Sequence, residues 1–158
     1  MMVEPMLKAV EKIKDKKLKT KVILFTPRGK KFSQKKASEF TKFSQIIMIC
    51  GRYEGVDERV LKYIADEGIS IGSYVLMGGE IPAMVVIETT SRLVKGVVGK
   101  DGFLEDRTKN GGFLEYKQYT RPENININGK NRRVPKILLS GNHTKVKEFK
   151  KKQGKIIK

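Results

Sequence analysis

Short apolar segments alternate with helix-like segments through the first 99 residues of the chain. Apolar runs of strand length predict buried strands at 21–25, 44–50 and 69–79. Apolar residues at helical spacing predict helices at 5–14, 34–43, 57–68 and 80–93, the third capped by Asp57. Alternating strands and helices are typical of an α/β layer. We therefore predict an α/β fold with a mainly parallel sheet flanked by helices.

Each predicted strand runs into a loop that contains glycine. The three loops are TPRG at 26–29, GRYEG at 51–55 and LMGGE at 76–80. In open α/β sheets ligands bind beyond the carboxyl ends of the strands, and glycine lets the backbone approach a ligand closely. One such loop is more often a simple turn, but three at one edge indicate a small-molecule site. None matches the phosphate-loop or G-x-G-x-x-G pattern, which argues against ATP and NAD.

The charge balance of the chain is strongly basic. Thirty-four Lys and Arg residues against 17 Asp and Glu residues give a formal net charge of +17. Such a protein is attracted to polyanions, of which nucleic acid is the most abundant in a cell. The alternative is a generally lysine-rich composition, in which most of the lysines are simply solvated. One cysteine, Cys50, excludes an internal disulfide and a multi-cysteine zinc site.

The termini and the hydropathy of the chain predict its location. No apolar run approaches the roughly 20 residues needed to span a bilayer, and residues 1–15 are charged and lack the core of a signal peptide. We expect a soluble cytoplasmic protein. After Gly99 the chain becomes rich in Gly, Asn and charged residues without a sustained period, which is typical of a functional loop or of disorder.

Four segments carry a resemblance to the bacterial tRNA (guanine-N1)-methyltransferase, or TrmD, family. They are CGRYEGVDERV at 50–60, SIGSYVLMGGEIPAMVVIE at 70–88, YTRP at 119–122 and VPKILLSGNH at 134–143. The resemblance implies a homodimeric enzyme of the SPOUT class with a deep trefoil knot. It also implies transfer of a methyl group from S-adenosylmethionine to N1 of the guanosine immediately 3′ to the anticodon in tRNA. General folding rules would have argued against a knot.

The resemblance also assigns residues to the cofactor. It implies that S-adenosylmethionine is bound by the three glycine-containing loops and the start of the helix that follows them. The residues assigned in this way are Thr26, Pro27, Gly51, Tyr53, Gly55, Ile71, Tyr74, Leu76, Gly78, Gly79 and Pro82.

Catalytic and substrate-binding residues follow from the same resemblance. N1 of guanine carries a proton that must leave, so a general base is needed. The family pattern implies Asp106 as this base, with Glu105 as the fallback and a merely solvated loop carboxylate as the alternative. Arg92 matches an arginine that stabilises charge on the guanine O6, a role that suits a permanently charged donor fork. The residues assigned to the substrate are Tyr53, Glu54, Arg121 and His143.

The resemblance sets expectations for the domains and for metals. It implies a cofactor-binding domain at 1–99, a flexible linker at 100–122 and the start of a basic tRNA-binding domain at 123–158. Magnesium dependence occurs in the family, but no carboxylate cluster in the sequence defines a site. His143 is the only histidine, so it cannot form a metal site by itself, and residues 140–143 are expected to cap the following helix.

Two departures from the family pattern stand out. Ser73 occupies a position where the family usually has aspartate, and the chain opens after the glycine-rich stretch with which the family's amino-terminal region ends. Much of the family's C-terminal domain has no counterpart either. We therefore expect cofactor binding to survive better than tRNA methylation. Two alternatives are a non-catalytic basic RNA-binding protein on a degenerate methyltransferase fold and a knotted methyltransferase of ribosomal RNA. The YTRP and LLSGNH segments argue against the second.

Overall fold

The chain forms two units, Met1–Leu104 and Glu105–Lys158. The structure is a computed structural model that describes residues 1–98, 108–109 and 112–157. The first unit contains α1 (Val3–Ile13), β1 (Thr20–Lys31), α2 (Gln34–Phe40), β2 (Gln45–Ile49), α3 (Glu58–Tyr63), β3 (Glu67–Ser70) and α4 (Glu80–Ser91). The second contains β4 (Thr108–Lys109), β5 (Gly112–Glu115), β6 (Asn124–Ile127), β7 (Lys130–Arg133), a 3-10 helix (Lys136–Leu139), α5 (His143–Gln153) and β8 (Lys155–Ile157).

A parallel sheet organises the first unit. The strand order is β2-β1-β3, so that β1 lies in the centre. Thr20 of β1 pairs with Gln45 of β2, and Ile23 pairs with Glu67 of β3, both in parallel register. The predicted α/β class with a parallel sheet is therefore confirmed.

The central strand β1 is buried on both faces. Val22 and Leu24 pack on one side with Val10 of α1 and Val60 of α3, while Ile23 packs on the other side. That second cluster is completed by Phe25, Phe40, Ile69, Ala83 and Val86, contributed by β1, α2, β3 and α4. Successive side chains of a strand point to opposite faces, so a strand covered by helices on both sides must be apolar at every position. This explains the continuous apolar run of β1.

The end of β1 differs from the prediction. We expected the strand to stop at residue 25 and turn, but it continues to Lys31, and Phe25 and Lys30 both pair with Ile69. Residues 26–29 therefore bulge out of the sheet. Gly29 makes this possible, because a Cβ there would lie 2.5 Å from backbone atoms of Gly68 and Ile69.

The third strand and the helix before it also differ from the prediction. α3 ends at Tyr63 rather than at 68, and β3 covers Glu67–Ser70 rather than 69–79. The carboxylate of Asp66 accepts a hydrogen bond from the backbone N–H of Val22 (2.7 Å), which fixes the chain beside β1 before it could continue as helix. Residues 71–79 form an extended loop instead of a strand.

The second unit is more regular than the sequence indicated. β5 joins β4 and β8 in an antiparallel sheet, with Phe113 and Leu114 buried, so the predicted linker at 100–122 includes a strand. β6 and β7 form a hairpin whose turn residues Asn128 and Gly129 both have positive φ. Asn-Gly is a strong hairpin signal that our interpretation of this segment missed.

The start of α5 is capped as predicted. The side chain of Asn142 accepts a hydrogen bond from the backbone N–H of Lys145 (3.0 Å). None of the helices in the described part of the chain is both long and apolar enough to cross a membrane.

Candidate functional site

A cavity of about 440 Å³ lies at the carboxyl-end edge of the parallel sheet. Its walls are the bulge of β1, the loop after β2 and the loop between β3 and α4. This volume is within the usual range for small-molecule sites. All eleven residues assigned to the cofactor line the cavity, namely Thr26, Pro27, Gly51, Tyr53, Gly55, Ile71, Tyr74, Leu76, Gly78, Gly79 and Pro82. The fold thus brings three loops that are distant in sequence to one cavity.

The second and third loops are joined directly by main-chain and side-chain contacts. The N–H of Gly79 donates to the carbonyl of Gly51 (3.0 Å), and Arg52 forms an antiparallel bridge with Gly78. Arg52 Nε also lies 2.7 Å from Glu80 Oε1. The backbone N–H of Glu80 and then the Arg52 guanidinium hold the pKa of the Glu80 carboxyl below its usual value. The ion pair between the loops is therefore formed at neutral pH.

Glycines set how closely the loops can approach. Gly79 is buried, and a Cβ there would lie only 2.6 Å from Cys50 Cα. A Cβ on Gly72 would overlap the ring of Tyr74, whose hydroxyl donates to the carbonyl of Ile71 (3.2 Å). Because Gly72 has no side chain, the Tyr74 ring can fold back over the backbone of the loop between β3 and α4.

The turn after β2 holds Tyr53 in a left-handed conformation. Its φ is 59°, a value that is unfavourable for a bulky residue, and Gly55 follows with a φ of 112°. The Tyr53 side chain is 95% exposed although the residue borders the cavity. Such strain is often associated with a functional site. The exposed ring is available to stack on a planar ligand.

The sequence interpretation missed an ion pair at the cavity wall. Arg28 of the β1 bulge lies 2.5 Å from Glu58 in the first turn of α3, and both residues line the cavity. Glu58 directly follows the predicted cap Asp57, which accepts from the backbone N–H of Arg59 (2.9 Å) and is thereby confirmed. Hydrogen bonds from Arg59 lower the pKa of Asp57 to about 2. The one sequence feature that could have indicated this pair is the position of Glu58 shortly after the glycine-containing loop at 51–55.

Several assigned residues lie outside the cavity wall. Arg92 is the C-terminal cap of α4 and is partly buried. Arg121 and His143 belong to the second unit, where both side chains are exposed and His143 begins α5. Asp106 and its fallback Glu105 lie outside the described residues. Ser73, the departure from the family pattern, is exposed in the third loop.

Metal ligands do not cluster in the part of the chain that the structure describes. There, no three His, Cys, Asp or Glu side chains come together as a metal site would require. The thiol of Cys50 is not activated either, because burial and then the charge of Glu80 raise its pKa. The cavity wall therefore consists mainly of its glycine loops, Tyr53 and the Arg28–Glu58 pair, while the Arg52–Glu80 pair joins two of the loops.

Comparisons with known proteins agree with the resemblance noted in the sequence. The family model described as tRNA (Guanine-1)-methyltransferase TrmD matches residues 1–156. A protein of Ruminiclostridium cellulolyticum named tRNA (guanine-N(1)-)-methyltransferase is 45% identical over 155 residues, covering 98% of this chain and 65% of that protein. Proteins of the same name from Carboxydothermus hydrogenoformans and Mycoplasmopsis synoviae are 48% and 52% identical, over 98% and 82% of this chain and 58% and 55% of their own lengths.

The match extends over almost the whole chain, although the chain spans only about three fifths of the length of these curated relatives. The matched region contains all the loops that form the cavity. The chain belongs to the TrmD family of tRNA (guanine-1)-methyltransferases.

Proposed function

We propose that the chain binds S-adenosylmethionine in the cavity and methylates N1 of the guanosine immediately 3′ to the anticodon of tRNA in the cytoplasm. The observation that carries the proposal is the convergence of all eleven assigned residues on one cavity at the ligand-binding edge of the sheet. Family membership and the names of the relatives support the reaction. A trefoil knot formed by the crossing of these loops is part of the same proposal.

The cavity fits the proposed cofactor in size and chemistry. Its walls combine apolar side chains such as Leu61 and Ile69, which suit an adenine ring, with main-chain groups of the glycine loops, which suit ribose and carboxylate. Gly79 leaves no room for a side chain beside Cys50, so that its backbone forms part of the wall itself. The bound cofactor would supply a methyl group on positively charged sulfur, ready for direct displacement.

The residues of the chain would orient the guanine and move its proton. Tyr53 and Glu54 border the cavity and would bind the guanine ring next to the methyl group. Holding the two reactants in line removes much of the entropic barrier. Arg92 would stabilise negative charge on O6, and Asp106 would accept the N1 proton, with Glu105 as the fallback.

We assign no step to magnesium. Among the described residues no cluster of His, Cys, Asp or Glu side chains suits the ion. The magnesium dependence implied by the resemblance stays a proposal that rests on the family alone.

The second unit would bind tRNA. The hairpin strands β6 and β7 are exposed along their whole length and carry Lys130, Arg132 and Arg133. The last turn of α5 adds Lys150, Lys151 and Lys152. Exposed cations of this density suit phosphate contacts, and Arg121 and His143 would join them. This supports the proposal that residues 123–158 form a basic tRNA-binding region. In sequence order it would follow a cofactor domain at 1–99 and a linker at 100–122.

An apolar surface on α4 supports a homodimer. Ile81, Met84 and Ile87 of this helix are 60%, 68% and 54% exposed, while its opposite side is buried in the core. A helix that is apolar all round is normally buried on all sides. Val75 and Met77, which line the cavity, are also exposed. We propose that a second copy covers this surface and completes the active site.

Charge on the exposed side of α4 should separate the dimer. Because two desolvated carboxylates at an interface would be unpaired, Met84→Glu combined with Ile87→Glu is expected to give a monomer with greatly reduced methyl transfer. Light scattering during size-exclusion chromatography measures the mass. Glu11→Gln, on an exposed position of α1, which packs in the other core cluster, is the control and should stay dimeric. A wild-type chain that is monomeric at micromolar concentration would contradict the proposal.

A radiolabel assay tests the proposed reaction. Tritiated methyl groups from S-adenosylmethionine should enter tRNA with guanosine immediately after the anticodon, but not the same tRNA with adenosine there. Incorporation into both tRNAs, or into neither, would overturn the assignment. Salt-sensitive tRNA binding without transfer would instead support the non-catalytic RNA-binding alternative.

A further inference from the structure

A second concave surface extends along β1 and β3 from their amino-terminal ends. Its lining includes Lys19, which precedes β1, and Lys21 at the start of that strand, together with Asp66 and Glu67 at the start of β3. Phe43, in the turn between α2 and β2, forms part of it as well. We call this surface the lysine groove. The groove shares no lining residue with the cofactor cavity, but at Lys30 it comes close to it, because Lys30 pairs with Ile69, which lines the cavity.

Part of the charge in the lysine groove is neutralised within it. Lys36 lies 2.9 Å from Glu39 and 3.3 Å from Glu67, and Lys21 lies 3.2 Å from Glu67. The hydrogen bond to Glu39 is the largest cause of a raised pKa at Lys36, which keeps this lysine charged. Two lysines and two carboxylates therefore balance one another at the base of the groove.

Three further lysines are left with little opposing charge. Lys19, Lys30 and Lys42 line the groove and are exposed, and within the described residues no carboxylate forms an ion pair with them. The remaining acid, Asp66, already accepts the backbone N–H of Val22. The groove therefore carries a net positive charge that the ion pairs described for the first unit do not neutralise.

Backbone contacts fix the main chain at these three lysines, and the ammonium group of Lys19 also contacts an aromatic ring. Lys19 Nζ lies 5.0 Å from the centroid of the Phe43 ring, a favourable cation–π distance. The carbonyl of Lys19 accepts from the backbone N–H of Ser44 (2.9 Å), and the N–H of Lys42 donates to the carbonyl of Glu39 (3.2 Å). Lys30 is fixed by its pairing with Ile69.

We propose that Lys19, Lys30 and Lys42 bind phosphates of an RNA backbone in the lysine groove. Exposed lysines that face one concave surface with a net positive charge suit the phosphates of a nucleic-acid backbone. The identity of the RNA as tRNA rests on the proposed function. The groove would then hold tRNA phosphates outside the cofactor cavity, with which it shares no lining residue.

The salt dependence of tRNA binding tests this proposal. Affinity for fluorescently labelled tRNA is measured by anisotropy from about 50 to 300 mM KCl, where the logarithm of the binding constant falls linearly with the logarithm of salt. For the variant Lys19→Gln/Lys30→Gln/Lys42→Gln, loss of three contacts should reduce the slope by about 2 to 3 and weaken binding about 10- to 100-fold at 0.15 M salt.

A matched variant removes the same charge elsewhere. Lys12→Gln/Lys16→Gln/Lys62→Gln changes three exposed lysines of the same unit that do not line the groove. It should lower the slope by less than about 1, through net charge alone. Equal slopes for the two variants would overturn the proposal, as would tRNA affinity in the wild-type chain that does not depend on salt.

Two further measurements separate the possible failures. Cofactor affinity, measured by calorimetry, should be the same in both variants and the wild type, because none of the substituted lysines lines the cavity. A loss of cofactor affinity in the groove variant alone would show that its substitutions disturb the fold. That result would overturn the proposed RNA role. Competition with polyglutamate that is as effective as competition with unlabelled RNA would also overturn it in favour of an acidic partner. None of these measurements requires methyl transfer, so they are decided independently of the proposed reaction.

Discussion

Replacing Gly79 with alanine should weaken binding of S-adenosylmethionine by about 10- to 100-fold. The added Cβ would lie 2.6 Å from Cys50 Cα and 3.0 Å from Cys50 Cβ, so the backbone of one cavity loop would have to move away from the other. The φ of Gly79 is −83°, which any residue can adopt, so the effect arises from space alone. Overpacking of this kind costs about 1–3 kcal/mol of stability. Calorimetric titration with the cofactor measures the loss.

The neighbouring glycine supplies the matched control. A Cβ on Gly78 would meet only side-chain atoms, Glu80 Oε2 at 2.3 Å and Arg52 Cδ and Nε at 2.9 Å. Both side chains are exposed and can swing away, so Gly78→Ala should weaken binding far less. Circular dichroism of both variants shows whether each is folded. Equal affinities for Gly79→Ala and the wild type would mean that the loops do not close the cofactor site.

Replacing Asp106 with asparagine should slow methyl transfer by about 10²- to 10⁴-fold, which is the usual contribution of a general base. Asparagine keeps the shape of the side chain but cannot accept the N1 proton of guanine. Cofactor affinity should not change, because the assigned cofactor residues lie in the three loops at 26–82. Single-turnover transfer of tritiated methyl groups to tRNA measures the rate of the chemical step.

The adjacent carboxylate makes the assignment of the base decidable. Glu105→Gln should retain a rate close to that of the wild type if Asp106 is the base. The reverse pattern would assign the role to Glu105. Near-normal rates for both variants would contradict a linker carboxylate as the base and favour the solvated loop alternative. Methyl transfer by the wild type should also fall as pH is lowered and the base becomes protonated.

Local patterns of the sequence were sufficient for most elements of the first unit. α1, α2, β2 and α4 lie close to their predicted positions, because the spacing of their apolar residues, the length of each apolar run and the residues that flank it are all local features. The predictions were wrong where tertiary contacts replaced local preference. β1 runs through residues 26–29 because its later half pairs with β3, and α3 stops at Tyr63 because Asp66 binds the backbone of β1.

The candidate site was predictable in its residues but not in all its contacts. The glycine loops indicated a ligand site, and the resemblance assigned eleven residues that all line the cavity. The Arg28–Glu58 and Arg52–Glu80 pairs join residues 30 and 28 positions apart, and no periodic pattern reports such distances. The hairpin at 124–133 was missed for a different reason, since its Asn-Gly turn was visible but was not used.

The sequence by itself determined the α/β class, the order of the elements in the first unit and the family, because these depend on local period and on motifs that are contiguous in the chain. Only the tertiary structure decided that the loops touch, with Gly79 against Cys50 and Arg52 against Glu80. It alone also placed Lys19, Lys30 and Lys42 around one groove. The physical reason is that such contacts arise when parallel strands align their ends, which brings residues together by register rather than by sequence distance.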